Sequence, residues 1–294
     1  MFNPKEVKIT DKSLLDGFFG MSENSIYNFT SIFMWSAEGK IRYDIVDDCL
    51  VLFFYNSRNG VCCTYPIGTG DRKMVAEQAL DFMKTNSKKP RFILMTEEMA
   101  RECDAYFPEK FRICADRNNA DYVYLSEQLI HLSGKKLHQK RNHLNAFVNT
   151  YPFAYKRIGQ AQVGECIALF EKWLDMQPKE TVAFSKAPTL RLLENLEILS
   201  VIAGGIYVDE NLVAFSVGEA ITDDMALIHV EYADTSYRGA FNAINQQFVA
   251  NEWEQYLYIN REEDMGLEGL RRAKLAYRPV RLVEKFSGEY RGRS

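Results

Sequence analysis

The spacing of apolar and polar residues changes repeatedly along this chain, and each change predicts an element. CLVLFFY (Cys49–Tyr55) is a nearly continuous apolar run, the pattern of a buried strand. VCCTYPIG follows after the turn NSRNG, so the pair predicts a hairpin. DRKMVAEQALDFMKTN places Met74, Val75, Ala79, Leu80, Phe82 and Met83 at helical intervals. RFILMT predicts another strand, EEMARECDAYF a short helix, and ADYVYLSEQL a further strand.

The stretch SGKKLHQKRNHLNAF then predicts a helix over residues 133–151. Leu137, Leu144, Phe147, Val148 and Tyr151 mark its buried side, while Lys136, Lys140 and His143 share the opposite one. Arg141 lies on the side of Leu137 and Leu144 and is expected to turn inward, paired with a carboxylate or with backbone carbonyls of a neighbouring unit. Ser133 is a candidate N-cap, and Pro152 stops the run. VGECIALFEKWLDMQ and APTLRLLENLEIL read as helices. The segment from Val201 to Asp234 reads as three strands joined at VDEN and ITDD. GAFNAINQQFVANEW is a helix, YLYINREED a strand running into a charged loop, GLRRAKLAYRP a short helix and VRLVEKF a last strand. The same grammar appears twice with no low-complexity linker. It predicts an α/β (α+β) protein of two units, 1–132 and 133–294, the second opening with the basic helix 133–151.

Composition narrows the function classes. Hydrophobic residues make up 47% of the 294 positions and charged residues 26%, an ordinary globular balance. A net charge of -4 argues against broad nucleic-acid binding but leaves room for a local anion site. No apolar run approaches the ~20 residues that span a bilayer, and the N-terminus lacks the pattern of a signal peptide. A cytoplasmic protein is expected. The six cysteines form no C-x-x-C pair, and no ligand set for a metal is visible, so folding is expected without metal or disulfide.

Three segments carry candidate chemistry. The basic helix gathers Lys135, Lys136, Lys140 and Arg141, and His131, His138 and His143 are three of the four histidines. Lys136 and Lys140 are candidates for phosphate contacts; a solvated face with an inward polar network is the alternative. In NREEDMGLEGLRRAKLAYRP, carboxylates Glu262, Glu263 and Asp264 follow a strand and precede a helix bearing Arg271, Arg272 and Lys274. Glu263 and Asp264 are candidate proton acceptors, Lys274 an oxyanion or phosphate partner, and Arg271 a phosphate contact. The alternative is charge placed to suit the helix dipole. In LIHVEYAD, His229 and Glu231 are two apart and are expected on one face of a strand. Glu231 is a candidate base; His229 reads as a core histidine with its hydrogen bonds met.

The order of elements in the second half resembles the GNAT acyltransferase fold. There YADTSYRGAFNAI occupies the place of the pyrophosphate-binding turn, with Arg238, Gly239 and Ala240 matching an incomplete R-x-x-G-x-G/A pattern. Longer motifs are more specific: YNFTSIFMW, YPIGTGD, DRNNADYVY, GKKLHQKRNHLNAF, NREEDMGLEGLRRAKLAYRP and VEKF. From about Tyr27 onward they resemble soluble bacterial relatives of the phosphatidylglycerol lysyltransferase C-terminal domain family. The resemblance implies two tandem GNAT-like units. It implies acyl or aminoacyl transfer from coenzyme A or aminoacyl-tRNA to an amine or hydroxyl, with a tRNA acceptor end as partner and no tightly bound cofactor. The named lysyltransferases carry an integral-membrane half, and a lipid acceptor is not expected here. A catalytically degenerate module that binds RNA or protein is the competing class.

Overall fold

A computed structural model describes residues 2–56 and 60–292. It divides into two compact units, Met1–Ala120 with Val283–Ser294, and Asp121–Leu282.

The first unit contains β1 (Lys5–Glu6), α1 (Lys12–Phe19), α2 (Phe29–Trp35), β2 (Ile41–Val46), β3 (Cys49–Asn56), β4 (Gly60–Thr64), β5 (Ile67–Gly68), α3 (Arg72–Asn86), β6 (Arg91–Met95), α4 (Glu97–Tyr106) and β7 (Phe111–Ala115). β3 and β4 pair antiparallel with Phe53 opposite Cys63, as the hairpin pattern predicts; the turn residues 57–59 lie outside the described residues. β4 and β6 are parallel. Asp71 and Thr96 cap α3 and α4 by accepting the amides of Met74 and Met99. The turn GTGD before α3 has a packing reason for its glycines. A Cβ on Gly70 would sit 1.6 Å from the Asp47 carbonyl oxygen, so only glycine lets these backbones touch.

The second unit contains β8 (Asp121–Leu125), α5 (Ser126–His131), α6 (His138–Thr150), β9 (Phe153–Ile158), α7 (Val163–Leu174), α8 (Lys179–Leu193), α9 (Leu196–Leu199), β10 (Ile202–Val208), β11 (Asn211–Ala220), β12 (Met225–Ala233), α10 (Ala240–Glu252), β13 (Tyr258–Asn260), α11 (Glu268–Leu275) and β14 (Arg281–Val283). Its sheet runs β14-β8-β13-β12-β11-β10-β9, and β12 and β13 are parallel neighbours. Neighbouring residues of β12 reach different helices. Tyr232 packs on Phe170 and Trp173 of α7, while Glu231 bonds Asn245 of α10. The two helices therefore cover opposite faces. Phe147 of α6 joins Ile244 and Phe248 of α10 in one buried cluster with Ile206, Ala226 and Ile228.

Several expectations are corrected. The expected boundary at 132/133 gives way to one at 120/121, because β8 pairs with β13 rather than with the first sheet. VRLVEKF is not one strand. It splits into β14 and the start of β15 (Phe286–Tyr290), which returns to the first sheet between β6 and β7. The basic helix begins with a tight 3-10 turn, Lys135–Leu137, and Ser133 caps nothing there; Gly134 supplies the positive φ of 83° at the entry. Val148 is exposed. APTLRLL is only the second half of α8, which starts at Lys179 and carries Pro188 inside. The elements α1, α2, β2, β7 and β9 carry patterns too short or too mixed to be read from periodicity.

Candidate functional site

The second sheet parts between its parallel strands. β12 and β13 pair only at Met225, Ala226 and Leu227 against Tyr258, Ile259 and Asn260. β12 then continues to Ala233, while the other chain turns toward β8, where the Arg261 amide donates to the Tyr122 carbonyl at 3.0 Å and the Tyr122 amide to the Glu262 carbonyl at 3.1 Å. Two side-chain pairs reach across the parting, Arg261 with Glu231 at 3.2 Å and His229 with Glu262 at 3.2 Å.

His229 and Glu231 do not work together as a shared strand face predicts. Val217 pairs with Val230, but Gly218 pairs with Ile228, which leaves His229 as the extra residue of a β-bulge. The bulge breaks the alternation and sends the two side chains into separate networks. His229 is fully buried, with Nε2 2.8 Å from Glu219 Oε1 and Nδ1 3.2 Å from Glu262 Oε1. Burial pushes its pKa down, but hydrogen bonds and charge from Glu219 and Glu262 outweigh that and raise it to about 9. It is an imidazolium clamped between two carboxylates.

Glu231 sits in a different cluster. Its Oε2 accepts from Asn245 Nδ2 at 3.1 Å and its Oε1 from Arg261 Nη2 at 3.2 Å. The Arg261 guanidinium lies over the rings of Tyr124 and Tyr277, 5.7 and 5.1 Å from their centroids. Lys140 reaches the same ring of Tyr277 at 4.4 Å, and Asn242 donates to the Tyr277 hydroxyl at 2.7 Å. Burial, then the charge of Arg261, lowers the pKa of Lys140. Two buried polar atoms of the cluster, Asn245 Oδ1 and Arg261 Nη1, have no hydrogen-bond partner.

The acidic loop is held from within. Asp264 is fully buried. Its carboxylate accepts from Tyr122 Oη at 2.5 Å, Arg271 Nε at 2.7 Å, Arg271 Nη2 at 2.8 Å and the Gly266 amide at 2.8 Å. Burial alone would raise its pKa, but these bonds hold it well below the usual carboxylate range. A carboxylate so firmly ionised is a poor proton acceptor, and Asp264 with Arg271 serves as the anchor of the loop. Lys274 donates to the carbonyls of Arg261 and, at 3.1 Å, Glu262. It thereby supports the left-handed backbone of Glu262, φ 55°. Burial and the charge of Arg261 lower its pKa to about 8. Glu263 is half-buried beside this loop and adds to the negative field at Lys274.

The turn Arg238–Ala240 lies at the start of α10, but its open side is occupied. Gly239 has φ 91°, and a Cβ there would come within 2.3 Å of the His143 carbonyl oxygen on α6. The glycine is needed for helix–helix approach. Arg238 is exposed, and Asp234 orders the turn by accepting from the Ser236 amide at 2.9 Å and from Lys172 Nζ at 2.5 Å. On the basic helix, Lys136 is exposed, while Lys140 is half-buried on Tyr277 rather than solvated. Arg141 is half-buried and donates to backbone carbonyls, but to those of its own unit rather than a neighbouring one, Leu132 at 2.6 Å and Gly134 at 3.3 Å.

The structure thus brings Lys140 and Glu231 into one cluster and Asp264, Arg271 and Lys274 into another, and places Arg238–Ala240 at the start of the helix that carries Asn242 and Asn245. A family model described as phosphatidylglycerol lysyltransferase, C-terminal, matches residues 20–287. The chain belongs to this family. A conserved protein of unknown function from Bacteroides thetaiotaomicron VPI-5482 is 33% identical, with a TM-score of 0.86 over 99% of this chain and all of that one. L-PGS from Bacillus licheniformis is 16% identical, with a TM-score of 0.67 over 100% of this chain and 95% of that one, a likeness of fold. An uncharacterised protein of Mycoplasmoides gallisepticum (strain R(low / passage 15 / clone 2)) is 22% identical over 172 residues, 58% of this chain. The match spans 56% of that curated relative's length.

Each unit of this family member is a mixed sheet flanked by helices. Sequence reading missed Arg261, Asn245, Asn242 and Tyr124 in the Glu231 cluster. Arg261 did stand inside the quoted motif NREED, next to the acids that drew attention. The asparagines of α10 carried no signal, since an amide on a helix is ordinary until its partner is known.

Proposed function

We propose that this protein transfers an aminoacyl group from aminoacyl-tRNA to an amine or hydroxyl, with Glu231 as the base that takes the acceptor's proton. The observation that carries the reading is the Glu231–Arg261–Lys140 cluster at the parting of two parallel strands, where an α/β sheet collects its ligand groups. Arg261 and Asn245 use one lone pair on each Glu231 oxygen and orient the carboxylate. The acceptor attacks the ester carbonyl. A bond from carbon to the new heteroatom forms, the ester C–O bond breaks, and the ribose oxygen leaves with a proton. Asp264, Arg271 and Lys274 keep Arg261 in place by holding the loop that bears it, so positioning supplies much of the rate.

Coenzyme A is the less favoured donor because Gly239 is packed against α6, and the GTGD turn of the first unit against Asp47. Exposed Lys135, Lys136 and Arg238 suit tRNA phosphates instead. The test offers the purified protein labelled aminoacyl-tRNA or labelled acetyl coenzyme A with a panel of small amines and alcohols. Label is expected to leave the tRNA alone, and Glu231→Gln to slow that by ~10²–10⁴-fold. Consumption of coenzyme A thioester, or tRNA that keeps its ester with every acceptor, overturns the proposal. The second outcome would support a degenerate RNA-binding module, a reading favoured by the side-chain pairs that bridge the parting.

A further inference from the structure

We infer that the Glu231 cluster binds the acceptor, and that the acceptor is a free α-amino acid, recognised by its ammonium and its carboxylate together. The inference deepens the aminoacyl-transfer reading and rests on it for the reaction, though not for the binding. The starting point is the pair of unmatched atoms. Asn245 is 2% exposed, and because its Nδ2 donates to Glu231, its Oδ1 faces elsewhere as an acceptor without a donor. Arg261 is held by Nη2 on the other oxygen of the same carboxylate and by two tyrosine rings, which leaves Nη1 a donor without an acceptor. Buried polar atoms are seldom left unpaired. Here one acceptor and one donor are left on either side of a single carboxylate.

Charge adds a second observation. Lys140 is half-buried over Tyr277, and among the described residues no carboxylate lies within ion-pair distance of it. Lys140 and Arg261 thus share one carboxylate, Glu231, and the cluster has a cation in excess. An anion with no O–H or N–H of its own answers that excess but cannot donate to Asn245 Oδ1. A phosphodiester fails for the same reason. An α-amino acid satisfies both sides: its carboxylate meets Arg261 Nη1 and Lys140, and its ammonium meets Glu231 and Asn245 Oδ1. In the reaction the ammonium gives one proton to Glu231 and becomes the attacking amine. Its nitrogen bonds the ester carbon as the C–O bond to ribose breaks, its second proton goes to the ribose oxygen, and Glu231 returns its proton to solvent. The product is an amide-linked dipeptide.

The test is calorimetric titration of the L-α-amino acids one at a time. The one that binds is then compared with its carboxamide, which lacks the carboxylate, and its α-hydroxy acid, which lacks the ammonium. Each analogue is expected to bind ~10-fold or more weakly, the loss of one charged hydrogen-bonding partner. Lys140→Met should shrink the penalty for the carboxamide, and Glu231→Gln the penalty for the hydroxy acid, in variants whose circular dichroism matches wild type. Two results overturn the inference: no amino acid binds, or the hydroxy acid or inorganic phosphate binds as well as the amino acid. Selective amino-acid binding without any aminoacyl transfer upholds this inference and refutes the catalytic reading. Transfer to an alcohol by a protein that binds no amino acid does the reverse.

Discussion

Asp264→Asn changes one oxygen to a nitrogen at the anchor of the acidic loop. Asp264 accepts four hydrogen bonds, two from Arg271, one from Tyr122 and one from the Gly266 amide, with no exposure of its own. Asparagine fits the space but removes the charge, and it turns one acceptor into a donor facing donors. Removing one partner of a buried pair costs ~3–5 kcal/mol. The Arg271 side chain is 31% exposed and can rehydrate, which trims the loss to about 2–4 kcal/mol at pH 7. The pH dependence has a definite sign. The folded-state pKa of Asp264 is depressed, so its stabilisation is present above the unfolded value near 4 and is lost as pH falls toward the folded value. The gap between wild type and variant should therefore shrink by about 1 kcal/mol between pH 7 and pH 3. Urea denaturation followed by circular dichroism at both pH values measures it. A variant within ~0.5 kcal/mol of wild type at pH 7, the ordinary range of surface changes, would refute the anchor. A gap that stays constant down to pH 3 would refute the ionised state assigned to it.

Other expectations are as direct. Gly239→Ala should lower the melting temperature by several degrees, about 1–3 kcal/mol, since it combines a positive φ with a Cβ 2.3 Å from a carbonyl oxygen; an unchanged melt would return the turn to a ligand role. His229 has a raised pKa, so its contribution to stability is full below the unfolded value near 6.5 and is lost as pH rises through about 9. His229→Gln should flatten the stability profile over that window, facing Glu219 and Glu262 without a charge, and a profile as steep as wild type would exclude the clamp. Lys136→Ala should leave stability within ~0.5 kcal/mol while reducing the salt dependence of tRNA binding in a filter assay; equal slopes for variant and wild type would place the RNA elsewhere.

Local pattern determined many of the elements. β3, β4, α3, β6 and α4 in the first unit, and α7, β10, β11, β12 and α10 in the second, follow from apolar spacing, because each buries one face or both against a neighbour. The long motifs also placed the chain in its family, which a model matched over residues 20–287 supports. The acidic and basic segments were legible as unusual, and Glu231 and Lys140 stood among the candidates. Their roles were decided by tertiary structure. A single bulge residue, His229, separates it from Glu231, and no periodicity reveals an extra residue in a strand. Lys140 differs from Lys136 only because Tyr277 lies beneath it, 137 positions along the chain. Asp264 became an anchor when the fold brought Tyr122 and Arg271 to it from two different elements. β8 and β15 joined sheets that their own patterns do not specify, since an apolar strand says that it will pair but not with which partner. Sequence determines what each segment must bury; which distant group meets a polar side chain there is settled only when the whole chain closes around it.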